Sequence, residues 1–432
     1  MKILDFNSKN FWKSLAEATK PVMQLKDVSE IVEKVLSDIK ENGDKALIEY
    51  THKFDKASLT PKTLKVSEDE IKDALKKVPA SDKREIKNAI KCVRFFHKHT
   101  MPKNWRAKNP HGAIIGENFY PIKRVGLYIP GGQVPLVSTV VMTATLANLA
   151  GCPEICVCTP PSPEGKINAH LLTALYFSGV KEIYKVGGAQ AIAAMGYGTK
   201  TIRQVEKLFG PGNAFVMEAK RRLFGEAGVD LLPGPSEVMI IADETATAKN
   251  VAADLLSQAE HGSGKEKIYL ATTSKKLVEE IPSELKRQSK PLSHADKLAK
   301  IIENGCFVIF VPNLEAAVQA ANFIAPEHLE LQVEKSKIET LTKAITTAGA
   351  ILQTEMTPTV LGDFTAGPSH TLPTGRTGRF SSGLQLVDFM RRSSVVRYDA
   401  KSIKKARPTV KAFSKMESLD AHGNSLFIRE EQ

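Results

Sequence analysis

VGLYIPGGQVPLVSTVVMTATLANLAGCPEICVCTP, residues 125–160, is the stretch that decides the fold. It reads as a strand, a glycine-rich turn, an apolar helix and a second strand. Val125 to Pro153 carries no charge, so the helix has no solvent face and belongs inside the protein. Pro130, Gly131, Gly132 and Pro135 break the stretch early and leave an apolar piece too short to cross a bilayer. The alternation continues downstream. Strand candidates are VGLYI, EICVCT, EIYKV, VDLLP, VMIIAD, KIYLAT, CFVIFV and AILQT, with helical runs between most of them. Strands separated by helices predict parallel sheets in α/β units.

Upstream, residues 27 to 99 read as helices. Asp27 and Glu30 are cap candidates for the first, and Ser67 with Glu70 forms a capping box for a later one. Beyond Phe380 the pattern holds little strand content and ends in a charged helical tail. No internal repeat or low-complexity linker interrupts the chain.

With 432 residues, 42% of them hydrophobic, the chain is long enough for more than one core. A formal charge of +12 raises the question of nucleic acid. The basic residues are scattered, with modest clusters at Lys220 to Arg222 and Lys401 to Arg407, and no aromatic-interleaved stripe accompanies them. The expectation is a solvated basic surface and no nucleic-acid partner. Five cysteines, an odd number without framework spacing, fit a reducing compartment. MKILDFNSKN at the N-terminus contains Asp5 and no long apolar region, so it is not a secretory signal. A cytoplasmic protein without a membrane segment is expected.

Several short runs carry chemistry. In DLLSQAEHG (254–262), Gln258 and His261 are three apart, which on a helix puts both on one face, with Gly262 closing the helix beside them. A carbonyl oxygen and an imidazole presented together make half a metal site; a capped helix end holding a polar residue and a histidine has the same pattern. Glu327 and His328 are adjacent in APEHLEL, after Pro326 ends a helical pattern. In an extended segment neighbours point to opposite sides, so a bend is needed to aim both at one substrate. Asp363 in LGDF and His370 in GPSH lie in a turn-forming stretch, where an aspartate is also an ordinary turn former. PGGQVPL and VGGAQAI place glycines where strands pass into helices, a geometry that holds phosphates but also arises for steric reasons. No G-x-G-x-x-G follows the first strand. His97, His99, His111 and His294 belong to no such run and read as surface residues.

Taken in order, VGLYIPGG (125–132), VGGAQAIAA (186–194), GPGNAFV (210–216), GPSEVMIIAD (234–243), SQAEHG (257–262), NFIAPEHLEL (322–331), LGDFTAGPSHTLPT (361–374) and FSSGL (380–384) resemble the histidinol dehydrogenases. These are zinc- and NAD-dependent enzymes of histidine biosynthesis, and the resemblance runs from the first helix to about His422. It implies two Rossmann-like, aldehyde-dehydrogenase-like domains with helical arms. The implied organisation is an N-terminal arm over 1–20, a discontinuous α/β domain over 21–128 and 236–380, a second domain over 129–235 with cofactor contacts, and a tail over 381–432 docked on a partner subunit.

The resemblance also implies roles. One Zn2+ per subunit is held by Gln258, His261, Asp363 and His422, a mixed oxygen and nitrogen set that suits zinc but also admits manganese or cobalt. His328 is the base for the alcohol proton and Glu327 activates water. L-Histidinol meets Ser236, His370 and Glu417 together with His328 and the four metal-binding residues. NAD meets Tyr128, Gln190 and Asn213. The implied reaction is a four-electron oxidation of L-histidinol to L-histidine in a homodimer with shared sites. Two alternatives stand beside it: the same fold acting on another small alcohol, such as a sulfonated one, and a basic nucleic-acid-binding α/β protein.

Overall fold

The computed structural model describes residues 1–20, 26–131, 135–261 and 263–430. The strands, in chain order, are β1 (Lys2–Asp5), β2 (Trp105–Lys108), β3 (Ile114–Pro121), β4 (Arg124–Tyr128), β5 (Glu154–Thr159), β6 (Glu182–Lys185) and β7 (Lys207–Phe209). They continue with β8 (Gly228–Val229), β9 (Glu237–Ala242), β10 (Lys267–Thr272), β11 (Cys306–Phe310), β12 (His328–Gln332), β13 (Ala350–Gln353) and β14 (Met390–Arg397).

Two parallel sheets organise them. One runs β6-β5-β4-β7-β8 and the other β1-β11-β10-β9-β12-β13. The apolar runs VGLYI, VMIIAD, KIYLAT and CFVIFV are buried on both faces because helices cover both, whereas VDLLP, read as a strand, contributes only Val229 to the two-residue β8. Met239 and Ile241 of β9 fill one core while Val238 and Ile240 fill the core on the other face. The charge-free helix Val137–Ala150 is buried almost all round, as its composition demands. The capping box of Ser67 and Glu70 opens the helix Glu68–Lys77. Asp27 falls in the helix Lys26–Asn42, but its side chain lies outside the described residues, as do Gly132 and Gly262. Among the described residues no helix is long and apolar enough to cross a membrane.

Several features differ from the sequence reading. Residues 26–98, expected to group with 236–380, pack on the five-stranded sheet: Val32, Val35, Ile39, Val66, Ile86 and Val93 enter its two cores. β4, placed with the same group, is the central strand of that sheet. The N-terminal arm adds β1 in parallel to β11, and Phe11, Leu15 and Ala18 join the core beneath. β14 is an eight-residue strand in the region expected to hold little strand, paired antiparallel with β3, which also pairs β2. Its sequence MRRSSVVR, mostly exposed, lacks the apolar alternation that marks a half-buried strand. His97 is 1% exposed rather than on the surface. It shares the buried stripe of its helix with Ile86, Ile90 and Val93, and burial pushes its pKa down to about 4. His99 and His294 are exposed and His111 half-buried.

Candidate active site

The parallel sheets present opposite edges to the candidate chemistry. Ser236, Glu327 and His328 stand at the amino edge of the six-stranded sheet, where β9 and β12 begin side by side with His328 in register with Val238. The helix Ala248–Ala259, between β9 and β10, runs back toward that edge and delivers Gln258 in its last turn. The short helix Thr359–Phe364, after β13, carries Asp363 and packs against it.

At the start of β12, His328 Nε2 lies 3.4 Å from Asp363 Oδ1, and Nδ1 lies 3.7 Å from Glu327 Oε2. His370 Nδ1 is 3.9 Å from the same Asp363 oxygen. The bend that joins Glu327 to His328 on one site comes from the preceding turn. The helix Leu314–Ile324 stops at Ala325, a non-glycine residue at φ +49°, and Pro326 prevents its continuation. Glu327 is fixed by the backbone N–H of Glu237, which donates to its Oε2 at 2.9 Å. His328 and His370 line a cavity of about 380 Å3 with Gly349, Thr357, Ser369 and Leu372. A molecule with one ring and a short polar chain fits that volume.

Burial dominates the electrostatics. It pushes the Glu327 carboxyl up to about 8, so Glu327 is neutral at pH 7 in the ligand-free protein. Burial alone would pull His328 down, but the Asp363 hydrogen bond outweighs it and lifts the imidazole to about 9. The neighbouring Glu327 carboxyl adds to the same lift. Burial raises the Asp363 pKa too, yet the His328 interaction wins and keeps it ionised, with His261 contributing to the same field. Burial lowers the pKa of His370.

Gln258 carries a further signal. It is 0% exposed, and among the described residues neither its Oε1 nor its Nε2 has a hydrogen-bond partner. A buried amide left this way costs about 1–3 kcal/mol, so it marks a position completed by something else. His261, just past the helix end, turns Nδ1 toward the Gln258 backbone carbonyl at 3.1 Å, which leaves Nε2 for another partner. An amide oxygen, an imidazole nitrogen and the Asp363 carboxylate form a donor set that fits a divalent cation of intermediate hardness. Among the described residues no group of three or more His, Cys, Asp or Glu side chains is arranged to hold a metal ion, and His422 lies on the tail, apart from this donor set. His422 and Glu417 are both exposed on the tail. There the helices Ala400–Met416 and Asp420–Phe427 pack chiefly on each other. The tail leaves Phe413 and Met416 exposed in the single chain.

The cofactor candidates lie at the carboxyl edge of the five-stranded sheet, the edge where ligands of α/β sheets bind. Tyr128 ends β4, and its hydroxyl accepts from the Gly188 N–H at 3.1 Å. Gln190 is in the helix that opens after β6, and Asn213 caps the helix Ala214–Leu223 by accepting from the N–H groups of Phe215 and Val216, each at 3.1 Å. The N–H of Gly210 bonds Asp230, and the position admits no side chain: a Cβ would sit 2.1 Å from the Tyr128 carbonyl oxygen. Sequence reasoning missed Asp55, whose Oδ2 accepts from Gly187 N–H at 3.1 Å and from Gln190 Nε2 at 3.2 Å. It also missed Glu237, which holds Glu327 through its N–H and the Gly375 N–H through its carboxylate at 3.2 Å. Neither has a local motif; both matter only through contacts distant in sequence.

The chain is similar to known proteins over nearly its whole length. The family model described as histidinol dehydrogenase matches residues 18–430. The histidinol dehydrogenase of Geobacter sulfurreducens is 39% identical over 431 residues, covering 99% of this chain and 100% of its own. That of Clostridium acetobutylicum is 39% identical over 426 residues, covering 98% and 96%. The crystal structure of the Elizabethkingia anophelis histidinol dehydrogenase superposes with a TM-score of 0.95 at 36% identity, covering 100% of this chain and 98% of that one.

Proposed function

The chain belongs to the histidinol dehydrogenase family, and from that premise we propose how its residues divide the oxidation of L-histidinol to L-histidine. The enzyme is an NAD-dependent oxidoreductase of amino-acid biosynthesis, and neither the sulfonated-alcohol nor the nucleic-acid reading is favoured by its relatives. The balance is RCH2OH + 2 NAD+ + H2O → RCOO− + 2 NADH + 3 H+. The observation that carries the residue assignment is the convergence of Glu327, His328, Asp363 and His370 beside the unpartnered amide of Gln258.

When bound, NAD accepts the two hydrides, and zinc orients the substrate and polarises its surroundings. Gln258, His261 and Asp363 would hold the zinc, with His422 of a second copy of the chain as the fourth ligand. His328 takes the hydroxyl proton as the first hydride leaves the carbinol carbon. Glu327 takes a proton from the water that adds to the aldehyde, and the hydrated aldehyde then gives up the second hydride. Positive charge added beside Asp363 would lower the pKa of both groups, toward the unprotonated state these roles need. Ser236, His370 and Glu417 bind the substrate, while Tyr128, Gln190 and Asn213 bind NAD. Shared sites fit a homodimer, since the tail lacks a core of its own. Five cysteines without a disulfide fit the reducing cytoplasm.

The test is stepwise. Wild type should make two NADH per L-histidine from L-histidinol. Glu327→Gln should lose more rate from L-histidinaldehyde than in the first oxidation, while His328→Asn should lose both. Equal losses in the two steps for Glu327→Gln would remove it from the hydration step.

A further inference from the structure

Behind the site, four buried polar residues tie together the three elements that carry its groups. Gln332 Nε2 donates to Asp254 Oδ2 at 2.7 Å and to Glu330 Oε2 at 3.1 Å. Glu330 Oε1 accepts from the Thr359 backbone N–H at 2.8 Å and from its hydroxyl at 2.7 Å. Asp254 is 8% exposed, and Glu330, Gln332 and Thr359 are at or below 2%. None of them takes part in the reaction as described.

Their spacing is what gives them a role. Asp254 lies one helical turn before Gln258 in the helix Ala248–Ala259. Thr359 lies one turn before Asp363 in the helix Thr359–Phe364. Glu330 follows His328 by two residues in β12, so the two share a face of the sheet. Asp254, Thr359 and Glu330 therefore each stand one turn, or one strand repeat, behind a group of the site, and Gln332 joins two of them. Two carboxyls this close in an apolar interior cannot both ionise. Burial and the charge of Glu330 push Asp254 up to about 8, so at neutral pH Asp254 keeps a proton and bonds to the Glu330 carboxylate. Apolar residues would join these elements at least as firmly. What the hydrogen bonds add is direction: they fix the first turn of the Asp363 helix and the last turns of the Gln258 helix against one strand.

We infer that Asp254, Glu330, Gln332 and Thr359 are positioning residues that set the separation of Gln258 and Asp363 from His328. The inference rests on the assignment of Gln258 and Asp363 as metal-facing groups. Partners that orient metal ligands typically alter metal affinity or activity by about 10–100-fold when removed.

The test uses the zinc-loaded enzyme and the rate at which a chromogenic chelator strips zinc. Glu330→Leu should release zinc about 10–100-fold faster than wild type, and Thr359→Val, which keeps the backbone bond, about 10-fold faster. The KM for NAD should stay within about twofold, because the cofactor residues are on the other sheet. Asp254→Asn keeps a donor toward Glu330 and an acceptor for Gln332, and it should behave like wild type. Should Glu330→Leu fail to fold, Thr359→Val decides. A lowered melting temperature with wild-type zinc release in Thr359→Val would overturn the positioning role alone. A wild type that binds no zinc would overturn the metal assignment, and this inference with it.

Discussion

Replacing Gln258 by methionine separates a residue kept for the fold from one kept for a ligand. The side chain is fully buried and both amide atoms are without partners among the described residues, so the folded ligand-free protein bears their desolvation. Methionine has a similar length and no amide. Relief of one or two unmet groups should stabilise the ligand-free protein by about 1–3 kcal/mol. For 432 residues, unfolding entropy near 2 cal/mol/K per residue converts each kcal/mol into about 1 °C. Ligand-free Gln258→Met should therefore melt about 1–3 °C above ligand-free wild type. Zinc reverses the order. At a free concentration 100 times its Kd, zinc should stabilise wild type by about 3 kcal/mol, while the variant, lacking the amide oxygen, gains little. Differential scanning calorimetry with and without zinc, together with equilibrium dialysis, reads both effects. If the variant melts well below wild type in the absence of zinc, the amide has a structural partner and the reasoning fails.

Two further outcomes follow. Asp55 is raised from an ordinary 3.8 to about 6 by burial, so the folded protein holds a proton that the unfolded chain releases at lower pH. Stability tied to it is fully present below pH 3.8 and lost as pH rises through about 6, by up to about 3 kcal/mol. Asp55→Asn removes that loss, so wild type should weaken against the variant between pH 4 and 6 in urea titrations; a difference constant with pH would refute the assignment. His261→Asn and His422→Asn should each be nearly inactive alone. Unfolded and refolded together, they should recover about a quarter of wild-type activity if His422 serves a partner subunit, because about half the dimers are hybrids with one intact site of two. No recovery from a mixture shown to contain hybrids would put His422 in its own subunit.

Much of the architecture was legible because it is written in local patterns. Apolar runs between helical stretches announced parallel sheets, although VDLLP among them forms a strand only at Val229, and the charge-free helix after β4 announced its own burial. β12 was harder. HLELQ places Glu330 and Gln332 where a central strand has apolar residues, and only Thr359 and Asp254, far away in sequence, explain how they are tolerated. β14 escaped notice because its pairing with β3 leaves most of it exposed. The N-terminal helices were recognisable as helices, but nothing in an amphipathic stripe says which of two sheets it will cover. His97 shows the same limit, since its burial follows from a stripe of isoleucines and valines three and four residues apart. Motif order singled out Glu327, His328, Asp363 and His370, which the fold brings together as a candidate site. Asp363 and His370 read singly as turn residues, and distances of 3.4 and 3.9 Å within one cluster exist only after folding. The tail histidine, His422, lies away from that cluster within one chain.

The central claim is that the residues around His328 work on L-histidinol held by a metal ion. Stripping the purified enzyme with a chelator and following NADH from L-histidinol tests it most directly. Turnover should disappear with only a modest loss of thermal stability, because Gln258, His261 and Asp363 stand at the margins of cores that are packed without the ion, and added zinc should restore it. A chelated enzyme, shown to be free of metal, that keeps its full rate would contradict the account.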